Sequence, residues 1–212
     1  MAKPKTRNWI QNHVKDPHVK KSKSEGYRSR ASYKLLEMDE KDKLLKPGMT
    51  VVDLGAAPGG WSQVASKALG DKGLLVAVDL LPLEPITGVR ALKGDIADDR
   101  VIKRLQGLMD MKRADLVMSD MAPHLAGIAD IDGPKIMDLA NLTMVVCEKV
   151  LKKEGCLVVK LFHYEEVHGF VRRLRTVFNT LRIRKPASSR ASSSEFYVVA
   201  KGYKGCVRCC YE

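Results

Sequence analysis

The stretch "VVDLGAAPGGWSQ", residues 51–63, decides how the rest of the chain is read. Its apolar start reads as a strand. A turn holding Gly55, Gly59 and Gly60 follows, and Trp61 opens a helix. That order lets backbone N–H groups approach a ligand closely and aims a helix N-terminus at it. The glycine spacing fits neither G-x-G-x-x-G nor G-x-x-x-x-G-K-[ST]. A pyrophosphate ligand is therefore a poor match. Asp53, inside the strand end, suits a cationic or hydroxyl-rich ligand better.

Outward from this turn, strands and helices alternate. Helical pattern covers 29–45 and stops at Pro47-Gly48. Strands are expected at 49–55, 73–80, 89–96, 114–120, 156–162, 181–186 and 195–203, and helices at 61–69, 98–109, 135–152 and 166–178. Residues 121–134 read as a long loop and 187–194 as a Ser-rich one. This alternation predicts a doubly wound, mostly parallel seven-stranded α/β sheet with helices on both faces. Only eight residues join Pro186 to Glu195. A parallel crossover needs a dozen or more, so the last strand is expected to run antiparallel.

Open α/β sheets bind ligands outside the carboxyl ends of their strands. Asp53, Asp79 and Asp95 fall at three successive strand ends. Asp79 is placed to accept from ribose hydroxyls and Asp95 to reach an adenine edge. Together they point to S-adenosylmethionine, an adenosine-type ligand without phosphates.

A second group of residues gathers at the same edge. Asp120 ends the fourth strand, and Lys160 lies near the end of the fifth, inside "GCLVVKLFHY". Glu195 begins the antiparallel strand, so its start meets the other strands' ends. Lys34, in "SRASYKLLE", sits on the preceding helix. Lysine is almost never fully buried unless paired, and a plain structural ion network is one reading of these four. The other is proton transfer from a hydroxyl that attacks an activated methyl. A lysine serves as base when burial and a neighbouring cation favour its neutral form. Both a base and an orienting role are open to Lys160.

Composition narrows the class. The 212 residues suit one α/β domain with an extension, and the formal net charge is +12. Residues 1–30 carry nine Lys/Arg against two acids, a net of +7. Residues 172–190 carry seven Lys/Arg and no acid. Two such basic concentrations predict a polyanionic partner, most simply nucleic acid. No run of about 18 apolar residues exists and no apolar leader is visible, so a cytoplasmic protein without a membrane segment is expected. Cys147 and Cys156 read as core residues. Cys206, Cys209 and Cys210 lack a fourth ligand nearby, so no metal site is expected. The chain divides into a basic arm (1–28), a main domain (29–203) and a cysteine-bearing tail (204–212).

The motifs "DLGAAPGGWSQ", "VDLLP", "SDMAP", "VVKLF" and "SSRASSSEFYVVA" resemble the FtsJ/RrmJ (RlmE) family of ribosomal RNA 2′-O-ribose methyltransferases. The likeness runs from about Ser29 to Gly202. It implies a Rossmann-like class I methyltransferase fold and a Lys-Asp-Lys-Glu tetrad, which falls on Lys34, Asp120, Lys160 and Glu195. It places S-adenosylmethionine contacts on Gly59, Trp61, Asp79, Asp95 and Asp120, with Asp53 and Gly55 added by the loop itself. It also implies that Lys160 accepts the proton of the target 2′-hydroxyl. The implied substrate is a uridine of large-subunit rRNA in the ribosomal particle, and the protein is expected to be a monomer. His124 departs from the family, whose bacterial members often carry Asn there.

Other readings follow from other residues. Base N-methyltransferases on this fold show Asn/Asp-Pro-Pro-aromatic after the fourth strand, whereas this chain has "DMAP". A 2′-O-methyltransferase acting on another RNA, a tRNA or an mRNA cap, is an alternative activity. A non-catalytic RNA-binding assembly factor would have no need to keep it.

Overall fold

β1 (Thr50–Leu54) is buried along its whole length, as a strand covered on both faces must be. Its neighbours in a computed structural model are β2 (Leu74–Asp79) on one side and β4 (Ala114–Ser119) on the other, both parallel to it. The structure describes residues 16–123, 126, 128–190 and 193–205, with Ala129 and Asp130 described in backbone only. The start of the basic arm, His124 and the cysteines of the tail lie outside the described residues.

The remaining strands are β3 (Val89–Lys93), β5 (Leu151–Phe162), β6 (Phe178–Arg184) and β7 (Glu195–Tyr203). The sheet order is β3-β2-β1-β4-β5-β7-β6. β7 inserts between β5 and β6 and runs antiparallel to both, as the eight-residue link requires. Strand order reverses between β1 and β4, which is where doubly wound sheets open a crevice.

Side-chain alternation sends neighbouring residues to opposite faces. Val51, Leu116, Met118, Val158 and Tyr197 pack against α2 (Ala31–Asp42) and α3 (Gly60–Leu69). Val52, Val117, Leu157, Val159 and Val198 pack against α4 (Asp99–Leu108), α5 (Ala129–Val150) and α6 (Val167–Val177). Leu157 is fully buried, and truncating such a leucine to alanine costs about 2–5 kcal/mol.

Several expected boundaries move. The arm read over 1–28 contains a helix, α1 (Pro17–Ser24), which buries Val19 and Ser22. Asp16 caps it by accepting from the His18 N–H, and Pro17 occupies the first turn. α5 starts inside the expected loop 121–134, at Ala129, and carries Pro134 within it. β5 begins at Leu151 rather than Cys156, because Leu151 pairs with Ala114 before the register shifts. β3 stops at Lys93, which leaves Asp95 just beyond the strand.

Candidate active site

The ends of β1, β2, β3 and β4 enclose a cleft of about 370 Å³. Gly55 forms its floor at φ 72°, where a Cβ would meet the Met121 Cγ at 2.5 Å. Both the left-handed backbone and this close approach require glycine. Asp79 is fixed by two backbone donors, Ala57 N–H (2.9 Å) and Leu81 N–H (2.8 Å). Asp95 stands at the exposed rim and accepts from Ala97 N–H (2.9 Å). The lining includes Asp79, Asp95 and Asp120 and no cationic side chain. Such a set of carboxylate acceptors repels phosphate. It suits a ligand bearing hydroxyls and positive charge, and the cleft has the volume of a small-molecule site.

Beside the cleft runs a chain of paired charges. Lys160 donates to Asp120 Oδ1 (3.0 Å) and also to the Asp120 backbone carbonyl. The Tyr197 hydroxyl donates to the same Oδ1 (2.7 Å). Lys34 Nζ donates to the Tyr197 oxygen (3.2 Å) and pairs with Glu195 Oε1 (2.5 Å). Strand register produces this meeting. Lys160 lies opposite Tyr197 and Phe162 opposite Glu195. Lys160 and Tyr197 therefore share the face on which α2 presents Lys34.

Burial acts against charge on both carboxylates, and the cations outweigh it. For Asp120, burial pushes the carboxyl up, but Lys160 and Lys34, then the Tyr197 and Lys160 hydrogen bonds, hold it below its ordinary range. For Glu195, burial is likewise overcome by the charge and hydrogen bond of Lys34, with a further bond from Ser189. Tyr197 is pushed well above its usual value by burial and by the carboxylates of Asp120 and Glu195, so its hydroxyl stays protonated and donates.

Asp53 differs from these. It is fully buried, accepts from Ser62 Oγ (2.6 Å), and its other oxygen has no partner. Burial raises it to about 7, opposed by the Ser62 hydrogen bond and helped by Asp120 and Asp79. It lies beneath the loop and does not line the cleft. Gly59 is also absent from the lining; a Cβ there would strike Ile86, Leu83 and Arg28. The Trp61 side chain points into the core, where its indole N–H donates to Ala31 O (2.8 Å) and its ring packs on Tyr197. The structure thus brings Gly55, Asp79, Asp95 and Asp120 to the cleft, and leaves the side chains of Asp53 and Trp61 as supports behind it.

Arg28 braces this region from outside. Its guanidinium donates to Glu84 O (2.7 Å), Pro85 O (2.7 Å) and Pro58 O (3.3 Å), and its backbone N–H donates to Gln63 (2.8 Å). Tyr197 is the member of the charge chain that sequence reading missed. A tyrosine in the apolar run "EFYVVA", two residues beyond Glu195, was the available signal, because a buried phenol needs a partner. The basic stretch 172–190 is also divided by the fold. Arg182 and Arg184 bind the buried Asp42, and Arg173 reaches Asn141.

Comparison with known proteins places this arrangement. A ribosomal RNA methyltransferase from Plasmodium falciparum has a solved structure that superposes with a TM-score of 0.76 at 28% identity, covering 85% of this chain and 100% of that one. Proteins named ribosomal RNA large subunit methyltransferase E are closer in sequence. The one from Hahella chejuensis is 49% identical over 197 residues, 93% of this chain and 96% of its own. The one from Marinobacter nauticus is 49% identical over 205 residues, 96% and 99% respectively. The model of FtsJ-like methyltransferases matches residues 27–203, and with the cleft and charge chain described above, the protein belongs to that family.

Proposed function

We propose that the protein transfers a methyl group from S-adenosylmethionine to a ribose 2′-hydroxyl of large-subunit ribosomal RNA, a uridine of 23S-type RNA in the ribosomal particle. The observation that carries this reading is the setting of Lys160. Lys160, ion-paired with Asp120, carries three N–H donors. Asp120 occupies two donor positions, with its carboxylate and its backbone carbonyl. The third position is left over, and once its proton has passed to solvent its lone pair receives the hydroxyl proton as the oxygen attacks.

The cofactor would supply a methyl group already activated as a sulfonium. Asp79 would hold its ribose hydroxyls, Asp95 its adenine edge, and Asp120 would lie nearest the positive charge, with the Gly55 turn shaping the floor. Lys160 takes the 2′-hydroxyl proton, and Asp120 steadies the resulting ammonium. Lys34 and Glu195 neutralise one another, and through the Tyr197 hydroxyl they fix the rotamer of Asp120. This division of labour asks the protein for orientation and one proton transfer, effects each worth several orders of magnitude in rate. The relatives' names supply the RNA class, and the cytoplasm, where ribosomal particles are assembled, is the matching compartment.

The test uses large ribosomal subunits from cells lacking the protein, incubated with methyl-labelled cofactor. A 2′-O-methyl protects its phosphodiester from alkali. The expected product is a single labelled, alkali-resistant dinucleotide. Label recovered on a base would sink the reading.

A further inference from the structure

A groove of about 720 Å³ lies on the α6 face of the sheet, roughly twice the volume of the cleft. β5, α6 and β6 form its walls. Its floor holds Phe162 and Phe196. His163 packs against Phe196 with ring centroids 4.6 Å apart. Ile183 lies at its edge and is 56% exposed, a large apolar side chain left open. Arg172 and Arg175 stand along the α6 wall, exposed.

These two arginines differ from others in the basic stretch. Arg173, Arg182 and Arg184 are engaged with Asn141 and Asp42. Arg172 and Arg175 make no ion pair or side-chain hydrogen bond among the described residues. Glu165 is the one acid in the lining. The groove also adjoins the charge chain. Phe162 is the register partner of Glu195, and the His163 N–H donates to Ser194 O (3.2 Å).

We propose that this groove binds the single-stranded RNA next to the target nucleotide, with Arg172 and Arg175 on successive phosphates and a base against the His163, Tyr164 and Ile183 surface. Free guanidiniums beside an aromatic floor are the combination that single-stranded nucleic acid requires: a positive track for the backbone and a π-face for bases. An acidic peptide would use the arginines but not the aromatic floor. Phe162 of the groove floor and Glu195 of the charge chain are register partners on adjacent strands, so the groove meets the charge chain at the same end of the sheet and can take up RNA that passes over that edge. The proposal rests on the RNA reading above and adds where the substrate lies.

The experiment compares wild type with Arg172→Ala/Arg175→Ala, using subunits from cells lacking the protein and a protein-free rRNA fragment that spans the target. Wild-type methylation of the ribosomal RNA is scored first, so failure of the functional reading shows in the wild type and failure of the groove shows only in the variant. The variant is expected to bind cofactor unchanged, which also reports its folding, while KM for RNA rises about 10–100-fold. The slope of log affinity against log salt is expected to fall by about 1.4, roughly 0.7 per lost phosphate contact. Unchanged KM and salt slope on both substrates overturn the proposal. A defect confined to subunits, with the bare fragment bound as by wild type, also overturns it, because the groove would then hold a protein of the particle.

Discussion

The carboxyl edge of the sheet has two halves, and Asp120 belongs to both. Around β2 and β3 the cleft presents Asp79 and Asp95 with no cation among its lining residues. Around β5 and β7 two ion pairs stand side by side, Lys160 with Asp120 and Lys34 with Glu195. The first half leaves its negative charge outstanding, and a ligand with hydroxyls and positive charge completes it. The second half is already neutral, so it has little to offer a charged ligand and is suited to moving a single proton. The two halves thus present separate electrical environments along one sheet edge.

The largest expected effect tests the proton-moving half. Lys160→Ala should reduce methyl transfer about 10²–10⁴-fold, measured as labelled methyl on subunits, while calorimetric cofactor affinity stays close to wild type. If cofactor affinity collapses with the rate, the two halves are not separable.

The next concerns Asp53, the carboxyl under the cleft floor. Its ordinary value is 3.8 and its folded value about 7. A raised folded value means that its contribution to stability is complete below about 4 and is lost as pH rises through 7. Asp53→Asn should therefore gain on the wild type between pH 5 and pH 7, by roughly 1.4 kcal/mol per unit. Urea unfolding at the two pH values measures this. A constant difference would mean that Asp53 is ionised in the folded protein. Asp120 and Glu195 carry the opposite sign. Their depressed values make stability that is present above the ordinary carboxylate range and lost as pH falls through the folded values.

Smaller effects sharpen the boundary between the halves. Asp79→Ala should weaken cofactor binding about tenfold, since it removes a ligand group and releases the Ala57 and Leu81 N–H groups. Its effect on turnover at saturating cofactor should be slight. Tyr197→Phe should cost about 1 kcal/mol of stability and a few-fold in turnover, because Asp120 loses one of its two side-chain donors. An unchanged rate would mean that Lys160 alone positions Asp120.

Much of this arrangement is legible in the amino-acid sequence. The run of strand ends at Asp53, Asp79 and Asp120 follows from apolar spacing, and the link from Pro186 to Glu195 is too short for anything but a reversed strand. That one length brings Glu195 to Lys34 and Tyr197 to Lys160. What was not legible depends on tertiary choice. The side chain of Trp61 could face the cleft or the core, and only the packing of α2 against α3 decides it. The cations of 172–190 look equivalent in sequence, yet Asp42, more than 100 residues away, takes Arg182 and Arg184 and leaves Arg172 and Arg175. The helix at Pro17–Ser24 was hidden because its apolar content is low, although its cap, Asp16, and its opening proline were visible.

Arg28 has a mechanical consequence. Its guanidinium fastens Pro58 in one cleft loop to Glu84 and Pro85 in another, and it stands just before the helix that carries Lys34. Any tightening of those loops around a ligand pulls on the root of that helix. Arg28 thus ties the loops of the first half of the sheet edge to the helix that places Lys34 in the second.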